Sequence, residues 1–379
     1  MNPIRRGLQA LTASVALAAL LAACGGGGDP VRSVRVMGDS LADAGTFGLK
    51  FTIQGQDIYP ERVGEAYGLG KGCNFFSFTG TTFAPNSKAG CTNYAIGGGV
   101  INPASGNLSA ADPRGIGVQF AAATAGGKFN RGDLLLIDGG GNDAAALVGA
   151  YLKAASDGGA AYAALLGTQL TQAQVGQAAA NGQAGLANAG GLYMTALANT
   201  FAAQIKSLLL DKGAERIVLI NMPAITLTPR FQAVLDQIAQ VSGPGATGAA
   251  ARTQAETLFN TWVAAFNSQL AARFNGNAKV AMVDLFGEFK AWVAEPAKYG
   301  LADAKRTACP ITGTGSDGLP SYTFATCTAT ALAATPPSGA TGSDWFNSWL
   351  FSDSFHPTGK GHELATQSIL RTLRAAGWL

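Results

Sequence analysis

The chain has 379 residues, of which 47% are hydrophobic and 13% are charged, and its formal net charge is +3. This apolar fraction is enough to build a folded core, which excludes global disorder. The charges are nearly balanced and form no basic stripe, so the sequence also argues against nucleic acid as a partner, because nothing is present to neutralise a row of phosphates.

The first 23 residues have the organisation of a bacterial export signal. Arg5 and Arg6 give a basic start, and the apolar run 8–23 that follows is short for a transmembrane helix. We therefore predict a signal peptide at residues 1–23.

A cysteine follows this segment directly. The sequence ending in Ala22-Ala23-Cys24 resembles the lipobox of bacterial lipoproteins, which implies that Cys24 carries a lipid; the alternative is an ordinary signal peptide with a chance cysteine. Glycines then provide a flexible tether, so residues 24–32 are predicted as lipidated cysteine and tether, and residues 33–379 as a single domain. By resemblance to enterobacterial sorting, Gly25 favours the outer membrane. We expect an exported lipoprotein, anchored at the outer membrane or cell surface through its lipid.

Four further cysteines fit an oxidising compartment. Four cysteines can pair in three ways, and in one of them both bridges are local and close short loops, so we predict the disulfides Cys73–Cys91 and Cys309–Cys327. A zinc site is the alternative, but the spacing Cys-x-x-Cys is absent and the sequence has only two histidines, so we predict no metal.

Strands and helices alternate along the predicted domain. Five short apolar runs are typical of buried strands, namely Val34–Met37, Thr92–Ile96, Asp133–Ile137, Arg216–Asn221 and Lys279–Asp284. Apolar residues with helical spacing predict helices over 192–210 and 258–274 and after Pro357. This order predicts a mostly parallel five-stranded sheet covered on both faces, with its chemistry at the carboxyl ends of the strands.

Three segments exceed this minimal pattern. Residues 144–191 are rich in Ala, Gly and Gln and are predicted to be weakly helical. Residues 242–250 resemble a Gly-rich linker, and residues 312–341 are rich in Gly, Ser, Thr, Ala and Pro. We interpret all three as insertions in one domain.

Histidine is scarce, which narrows the choice of a general base. His356 follows Asp353 by three residues on a turn closed by Pro357, so the carboxylate can reach the imidazole and fix its tautomer. His362 has no such acidic partner upstream, and we expect it at the surface or lining a groove.

The predicted nucleophile comes directly after the first strand. The strand runs into Gly38-Asp39-Ser40, and a serine on such a turn exposes its hydroxyl at the sheet edge, where its own N–H can face an oxyanion. The Gly-x-Ser-x-Gly elbow of α/β-hydrolases is absent, which indicates a serine hydrolase of another design.

Four blocks resemble, in order, those of the GDSL or SGNH hydrolase family. They are Gly38-Asp39-Ser40-Leu41, Asn93-Tyr94-Ala95-Ile96-Gly97-Gly98, Gly140-Gly141-Asn142-Asp143 and Asp353-Ser354-Phe355-His356-Pro357-Thr358. The resemblance covers residues 34–379 and implies a three-layer α/β/α, flavodoxin-like SGNH-hydrolase fold.

The resemblance also implies a role for each residue. Ser40, Asp353 and His356 would form the catalytic triad, and the oxyanion hole would consist of the N–H of Ser40, the N–H of Gly98 and the side-chain amide of Asn142. The neighbours Gly97 and Gly99 are rivals for Gly98. Asp39, Asp43 and Asp143 are interpreted as residues that cap turns rather than as participants in the chemistry.

A cluster of aromatic residues precedes Asp353 and allows two interpretations. Trp345, Phe346, Trp349 and Phe351 either wall an acyl or aromatic pocket or pack into the core.

The sequence thus predicts a serine hydrolase that cleaves carboxylic esters by an acyl-enzyme route without a cofactor. The expected partners are an ester of a lipid, acylated small molecule or glycan, and the membrane that holds the anchor; the protein is expected to be a monomer. The alternatives are an acyltransferase, a polysaccharide O-deacetylase, or a non-catalytic lipoprotein that binds glycans or lipids.

Overall fold

A computed structural model describes residues 29–340 and 342–379, and the predicted signal peptide and Cys24 lie outside this range. The strands are, in chain order, β1 (Ser33–Met37), β2 (Phe76–Phe78), β3 (Phe83–Pro85), β4 (Asp133–Ile137), β5 (Ile217–Ile220), β6 (Val280–Val283), β7 (Asp303–Thr307), β8 (Ile311–Thr314), β9 (Pro320–Tyr322) and β10 (Trp349–Phe351). The α-helices are α1 (Tyr59–Ala66), α2 (Ile116–Thr124), α3 (Gly141–Asp157), α4 (Ala160–Leu166), α5 (Gln172–Ala180), α6 (Gly182–Leu208), α7 (Pro229–Ser242), α8 (Ala246–Phe274), α9 (Leu285–Ala294), α10 (Ala329–Ala334) and α11 (Gly359–Ala375).

The central sheet consists of β1, β4, β5 and β6, adjacent in that order and all parallel. Successive strand residues point to opposite faces. Leu135 and Ile137 contribute to one apolar core together with α2, α3, α6 and α8, whereas Leu134 and Leu136 contribute to a second core with α1, α9 and α11. Both faces of the sheet are therefore covered by helices, which is the predicted three-layer α/β/α arrangement.

The segment 92–96 lies beside β1, which gives the flavodoxin-like spatial order 2-1-3-4-5. The segment does not form the full fifth strand that the sequence predicts, and the continuous sheet has four strands. Val36 exchanges two backbone hydrogen bonds with Thr92 and Tyr94, but the Thr92 hydroxyl, not a backbone group, donates to Val34. On its other side, the backbone of Asn93 bonds to Cys73 and Phe75, and this part of the sheet consists of isolated bridges.

Two helices in the structure extend beyond the ranges that the apolar spacing predicted. The pattern over 258–274 belongs to α8, which begins at Ala246, and the pattern over 192–210 belongs to α6, which begins at Gly182. The predicted linker is correspondingly wrong for its second half, since only residues 243–245 separate α7 from α8. The last helix begins at Gly359, after Pro357 as predicted, and its cap is Thr358.

The Ala-rich segment 144–191 is helical but not peripheral. It spans most of α3, all of α4 and α5, and the start of α6. Leu147, Tyr162 and Leu166 within it are fully buried in the first core, so the segment completes one helical layer.

Both predicted disulfides, Cys73–Cys91 and Cys309–Cys327, are present. The Cys309–Cys327 disulfide connects the two ends of the segment that contains the β8–β9 hairpin. This hairpin is the main structure of the predicted insertion 312–341. Among the described residues, the helices lack the length and hydropathy needed to span a bilayer.

Candidate active site

The turn after β1 is held by side chains from neighbouring elements. Gln119 on α2 accepts the N–H of Gly38 at 2.8 Å and donates to the Gly38 carbonyl at 3.0 Å. A β-carbon at position 38 would lie 2.0 Å from Oδ1 of Asp138, so only glycine fits there. The turn thus begins at a fixed point and presents Ser40 just beyond the end of the strand.

A second buried carboxyl supports this turn. Asp138, directly after β4, accepts the N–H of Asp39 at 2.9 Å and the hydroxyl of Tyr59 at 2.5 Å. Burial, together with the charge of Asp138, raises the pKa of Asp39 well above its usual range, and burial raises the pKa of Asp138 to about 6. Because Asp138 accepts two hydrogen bonds, we assign the negative charge of this pair to Asp138 and a proton to Asp39.

Ser40, His356 and Asp353 lie in one hydrogen-bonded chain. Nε2 of His356 is 2.8 Å from Oγ of Ser40, and Nδ1 of His356 is 2.9 Å and 3.0 Å from the two oxygens of Asp353. The His356 side chain is 12% exposed, so the imidazole is accessible to a substrate but largely shielded from water. The three residues that the sequence predicted as a triad are therefore adjacent in space.

The turn that carries Asp353 favours its ionised form. Burial alone would raise the pKa of Asp353, but the charge of His356, its hydrogen bond and the backbone N–H groups of Phe355 and His356 together lower this pKa below its ordinary value. The two N–H groups lie 2.8 Å and 2.6 Å from Oδ1 of Asp353. A carboxylate in this position holds the Nδ1–H tautomer of His356 and leaves Nε2 free to accept a proton.

Backbone and side-chain donors lie close to Ser40. In the described part of the chain, the N–H groups of Ser40 and Gly98 have no acceptor, whereas those of the rivals Gly97 and Gly99 donate to Asp43 at 2.8 Å and to Ile96 at 2.9 Å. Gly98 is exposed and has a φ of +78°, which favours glycine.

The side-chain amide of Asn142, the third predicted oxyanion donor, is held by the Gly-rich turn that contains Gly98 and Gly99. Asn142, in the first turn of α3, uses one amide hydrogen to donate to the Gly99 carbonyl at 2.9 Å, which leaves its second hydrogen available. A β-carbon on Gly99 would lie 2.6 Å from the Gly38 carbonyl, so the Gly-rich turn packs directly against the turn of Ser40.

The other motif carboxylates cap turns, as predicted. Asp43 accepts the N–H groups of Gly45 and Thr46, and Asp143 accepts those of Ile101 and Asn102. Both side chains are fully buried, and burial raises both pKa values, that of Asp143 to about 6.

Aromatic rings surround His356, but they are not the ones that the sequence suggested. Phe51, Phe324 and Phe355 have ring centroids 5.2, 5.7 and 5.8 Å from the imidazole. The cluster before Asp353 is buried in the core, which supports the packing interpretation and makes the pocket interpretation wrong; its members are Trp345, Phe346, Trp349 and Phe351. Phe51 and Phe324 were missed because they lie in Gly- and Thr-rich segments without periodicity.

An internal cavity of about 60 Å³ reaches Ser40 from one side. Most of its lining is apolar, and Leu41, Met222 and Leu285 belong to it, whereas His356 and Asn142 do not.

His362 also lines the cavity. Of the two positions expected for His362, at the surface or lining a groove, the surface position was wrong, because α11 packs its histidine face on α1 and the sheet.

The environment of His362 keeps its ring neutral. Burial, assisted by the positive charges of Arg62, His356 and Lys50, lowers the pKa of His362 to about 3. Its Nδ1 faces the N–H of Tyr59 at 3.4 Å, and its Nε2 has no partner among the described residues. The proton of the neutral ring is therefore assigned to Nε2.

A groove of about 430 Å³, lined by both polar and apolar side chains, opens on the other side of the site. Its lining includes Asn142 and His356, but not Ser40. The outer wall is the β8–β9 hairpin, which an ion pair between Arg230 and Asp317 (2.6 Å) connects to the start of α7.

The sequence matches the family model of the GDSL-like Lipase/Acylhydrolase proteins over residues 34–369. The chain belongs to this family. Family membership and the parallel sheet agree on the fold, and membership indicates a hydrolase of the esterase or lipase type. No curated protein matches the chain at a significant level.

Sequence reasoning missed several residues that shape this GDSL hydrolase site. Asp138 had a readable signal, because it is a carboxylate directly after a buried apolar strand. Tyr59, Gln119 and Arg230 had none, since each reaches the site from a helix far away in the sequence.

Proposed function

We propose that this protein is a serine esterase that cleaves carboxylic esters through an acyl-enzyme intermediate. The observation that carries the proposal is the continuous contact from Ser40 through His356 to Asp353. A serine hydroxyl is a weak nucleophile unless a base adjoins it, and the 2.8 Å contact supplies that base.

Each residue has a separate task in the reaction. Oγ of Ser40 attacks the ester carbonyl while Nε2 of His356 takes the hydroxyl proton. The imidazolium, stabilised by Asp353, then donates this proton to the departing alcohol, which leaves an acyl ester on Ser40. A water molecule, deprotonated by His356, attacks this ester and releases the acid, and the proton returns to Oγ.

The oxyanion formed in both steps needs hydrogen-bond donors. We assign this task to the N–H groups of Ser40 and Gly98 and to the free amide hydrogen of Asn142. Among the described residues these hydrogens have no acceptor, which supports the assignment, because fixed donors aimed at developing charge are often the largest catalytic contribution.

The apolar cavity beside Ser40 fits the acyl group, which remains bonded to this residue. Its volume of about 60 Å³ is a few times the space that one water molecule requires, which is about 10–15 Å³ on the same kind of measure. We therefore propose a preference for short acyl chains.

We further propose that the protein is exported and works as a monomer, anchored to the outer membrane or cell surface through Cys24. The two disulfides support an oxidising compartment. Globomycin treatment of expressing cells tests the anchor, since a lipoprotein precursor would accumulate and a Cys24→Ala variant would not respond.

The decisive experiment compares the full chain with its Ser40→Ala variant on p-nitrophenyl acetate, butyrate, octanoate and palmitate. We expect activity to fall with chain length beyond butyrate, and Ser40→Ala to lower kcat by about 10⁴–10⁶-fold. Ser156→Ala, an exposed serine on α3, is the matched control. Activity of Ser40→Ala within about tenfold of the wild type would refute the mechanism, and an optimum at palmitate would refute the assignment of the cavity.

A further inference from the structure

We propose that the groove beside His356 binds the alcohol half of the substrate, and that this alcohol is neutral and rich in hydroxyl groups. The inference rests on the proposed esterase function and specifies its substrate class. A glyceryl ester and a sugar ester share this chemistry.

The position of the groove identifies which half of the ester it receives. The alcohol must leave next to the group that protonates it, and His356 lines the groove. The acyl group stays on Ser40, which lines the apolar cavity instead. Asn142 lines the groove as well, so the carbonyl oxygen would lie between the two spaces.

The lining of the groove offers both donors and acceptors. Arg230 provides guanidinium N–H groups, Asp317 provides carboxylate oxygens, and Ser316, Ser321 and Tyr322 add hydroxyl groups that can do both. An alcohol with several hydroxyl groups also donates and accepts. An apolar alcohol would leave this lining without partners, at a cost to binding.

The charge balance favours a neutral ligand over an anionic headgroup. The guanidinium of Arg230 is already neutralised by Asp317 at 2.6 Å, and the other carboxylate in the lining, Asp353, is paired with His356. Burial would raise the pKa of Asp317, but a backbone hydrogen bond and Arg230 lower it, so this group stays ionised. A phosphate in the groove would face Asp317 without a free cation.

The groove is also a formed site rather than a gap between mobile loops. The Cys309–Cys327 disulfide ties one side of the hairpin, and the Arg230–Asp317 pair ties its tip to α7. The N–H of Arg230 donates to the Ser354 carbonyl at 2.7 Å, which connects the same helix start to the turn of Asp353 and His356. Its volume of about 430 Å³ is within the range of small-molecule sites, about 300–1,000 Å³.

The test compares esters that differ only in their hydroxyl groups. Monobutyrin and propyl butyrate have the same acyl chain and the same three-carbon alcohol skeleton, and the butyrate ester of glucose is a third arm. For the full chain, we expect kcat/KM to be about tenfold or more higher for monobutyrin than for propyl butyrate, as hydrogen bonds to charged groups would give. The arm with the higher kcat/KM, glyceryl or glucosyl, distinguishes the two sources.

Variants separate recognition from anchoring of the hairpin. Arg230→Gln and Asp317→Asn should lower the ratio of the two kcat/KM values by about fivefold or more. Arg230→Lys keeps the ion pair but has fewer donors, so it should lower the ratio while the melting temperature stays unchanged. The control Asp236→Asn, which breaks an ion pair between α7 and α8 outside the groove, should keep the wild-type ratio.

Three outcomes overturn the inference. A wild-type ratio near one, or variants that lower kcat/KM equally for both esters, would show that the groove does not select the alcohol. If the wild type hydrolyses no ester at all, the esterase function itself fails, and this inference fails with it.

Discussion

Asp138 accepts the backbone N–H of Asp39 at 2.9 Å and thereby connects the end of β4 to the residue before Ser40. The contact requires that Gly38 have no side chain, since a β-carbon there would lie 2.0 Å from Asp138 Oδ1. The position of the nucleophile therefore depends on a carboxylate from the neighbouring strand.

Gly38→Ala should lower both activity and stability. The added methyl group has to displace Asp138, a fully buried carboxyl, and the turn of Ser40 would shift with it. We expect kcat to fall by more than about tenfold and the free energy of unfolding by about 1–3 kcal/mol. Denaturant titration and esterase kinetics measure the two effects. In Gly149→Ala, the control in α3, the β-carbon meets no atom within 4 Å, so a gain of up to about 1 kcal/mol is expected. Wild-type kcat in Gly38→Ala would contradict this account of the turn.

Asn142→Ala should act on kcat and leave KM nearly unchanged. Its amide is held by the Gly99 carbonyl and has one hydrogen left for the oxyanion, which exists only in the transition state and the intermediate. A loss of about 10²–10³-fold in kcat is expected. Steady-state kinetics with p-nitrophenyl butyrate provide the measurement. A change confined to KM would instead assign Asn142 to substrate binding.

His362 should make the protein less stable in acid. An unfolded chain protonates this histidine below about pH 6.5, but the folded protein keeps it neutral down to about pH 3. The stability that the protein has with a neutral buried His362 is therefore fully present above about pH 6.5 and decreases as the pH falls below this value. At pH 4.5 the loss is about 2–3 kcal/mol relative to pH 8.

His362→Gln keeps a side chain of similar polarity that does not titrate. The difference between the free energies of unfolding at pH 8 and pH 4.5 should therefore be smaller in His362→Gln than in the wild type by this amount. Equal differences in the two proteins would mean that His362 is protonated in the folded state.

Removal of the Cys309–Cys327 disulfide should weaken selection of the alcohol by the groove more than it weakens catalysis at Ser40. The bridge encloses the hairpin that forms the groove wall, and a loop of this length contributes about 3 kcal/mol. In the double variant Cys309→Ser/Cys327→Ser, the free energy of unfolding, measured by denaturant titration, should fall by about this amount. The ratio of kcat/KM for monobutyrin to that for propyl butyrate should also fall. The corresponding Cys73–Cys91 variant is the control, because it should lose stability without any change in preference.

The parallel sheet covered by helices and the residues around Ser40 could be predicted from the sequence because both depend on local patterns. Buried strands are continuous apolar runs, and the motif residues lie directly after them. Asp353 and His356 could be paired because they are three residues apart on one turn. Residues that act across the fold left no such pattern: Gln119 reaches Gly38 over 81 positions, and Tyr59 reaches Asp138 over 79.

The errors have the same physical origin. His362 was placed by its lack of an upstream acidic partner, and the pocket interpretation of the aromatic cluster at 345–351 came from its nearness to Asp353, yet packing buries both. Segment 92–96 has the apolar character of a strand, but the hydroxyl of Thr92 takes the place of a backbone donor to Val34, which interrupts its pairing with β1.

Ser40 and His356 are 316 positions apart, and their contact has a consequence for biosynthesis. The nucleophile leaves the ribosome long before its base does, and the serine hydroxyl has no activating partner until the turn of Asp353 and His356 has packed beneath α11. On the proposed mechanism, a chain that has not yet brought His356 to Ser40 cannot cleave esters, so activity appears only as the fold is completed.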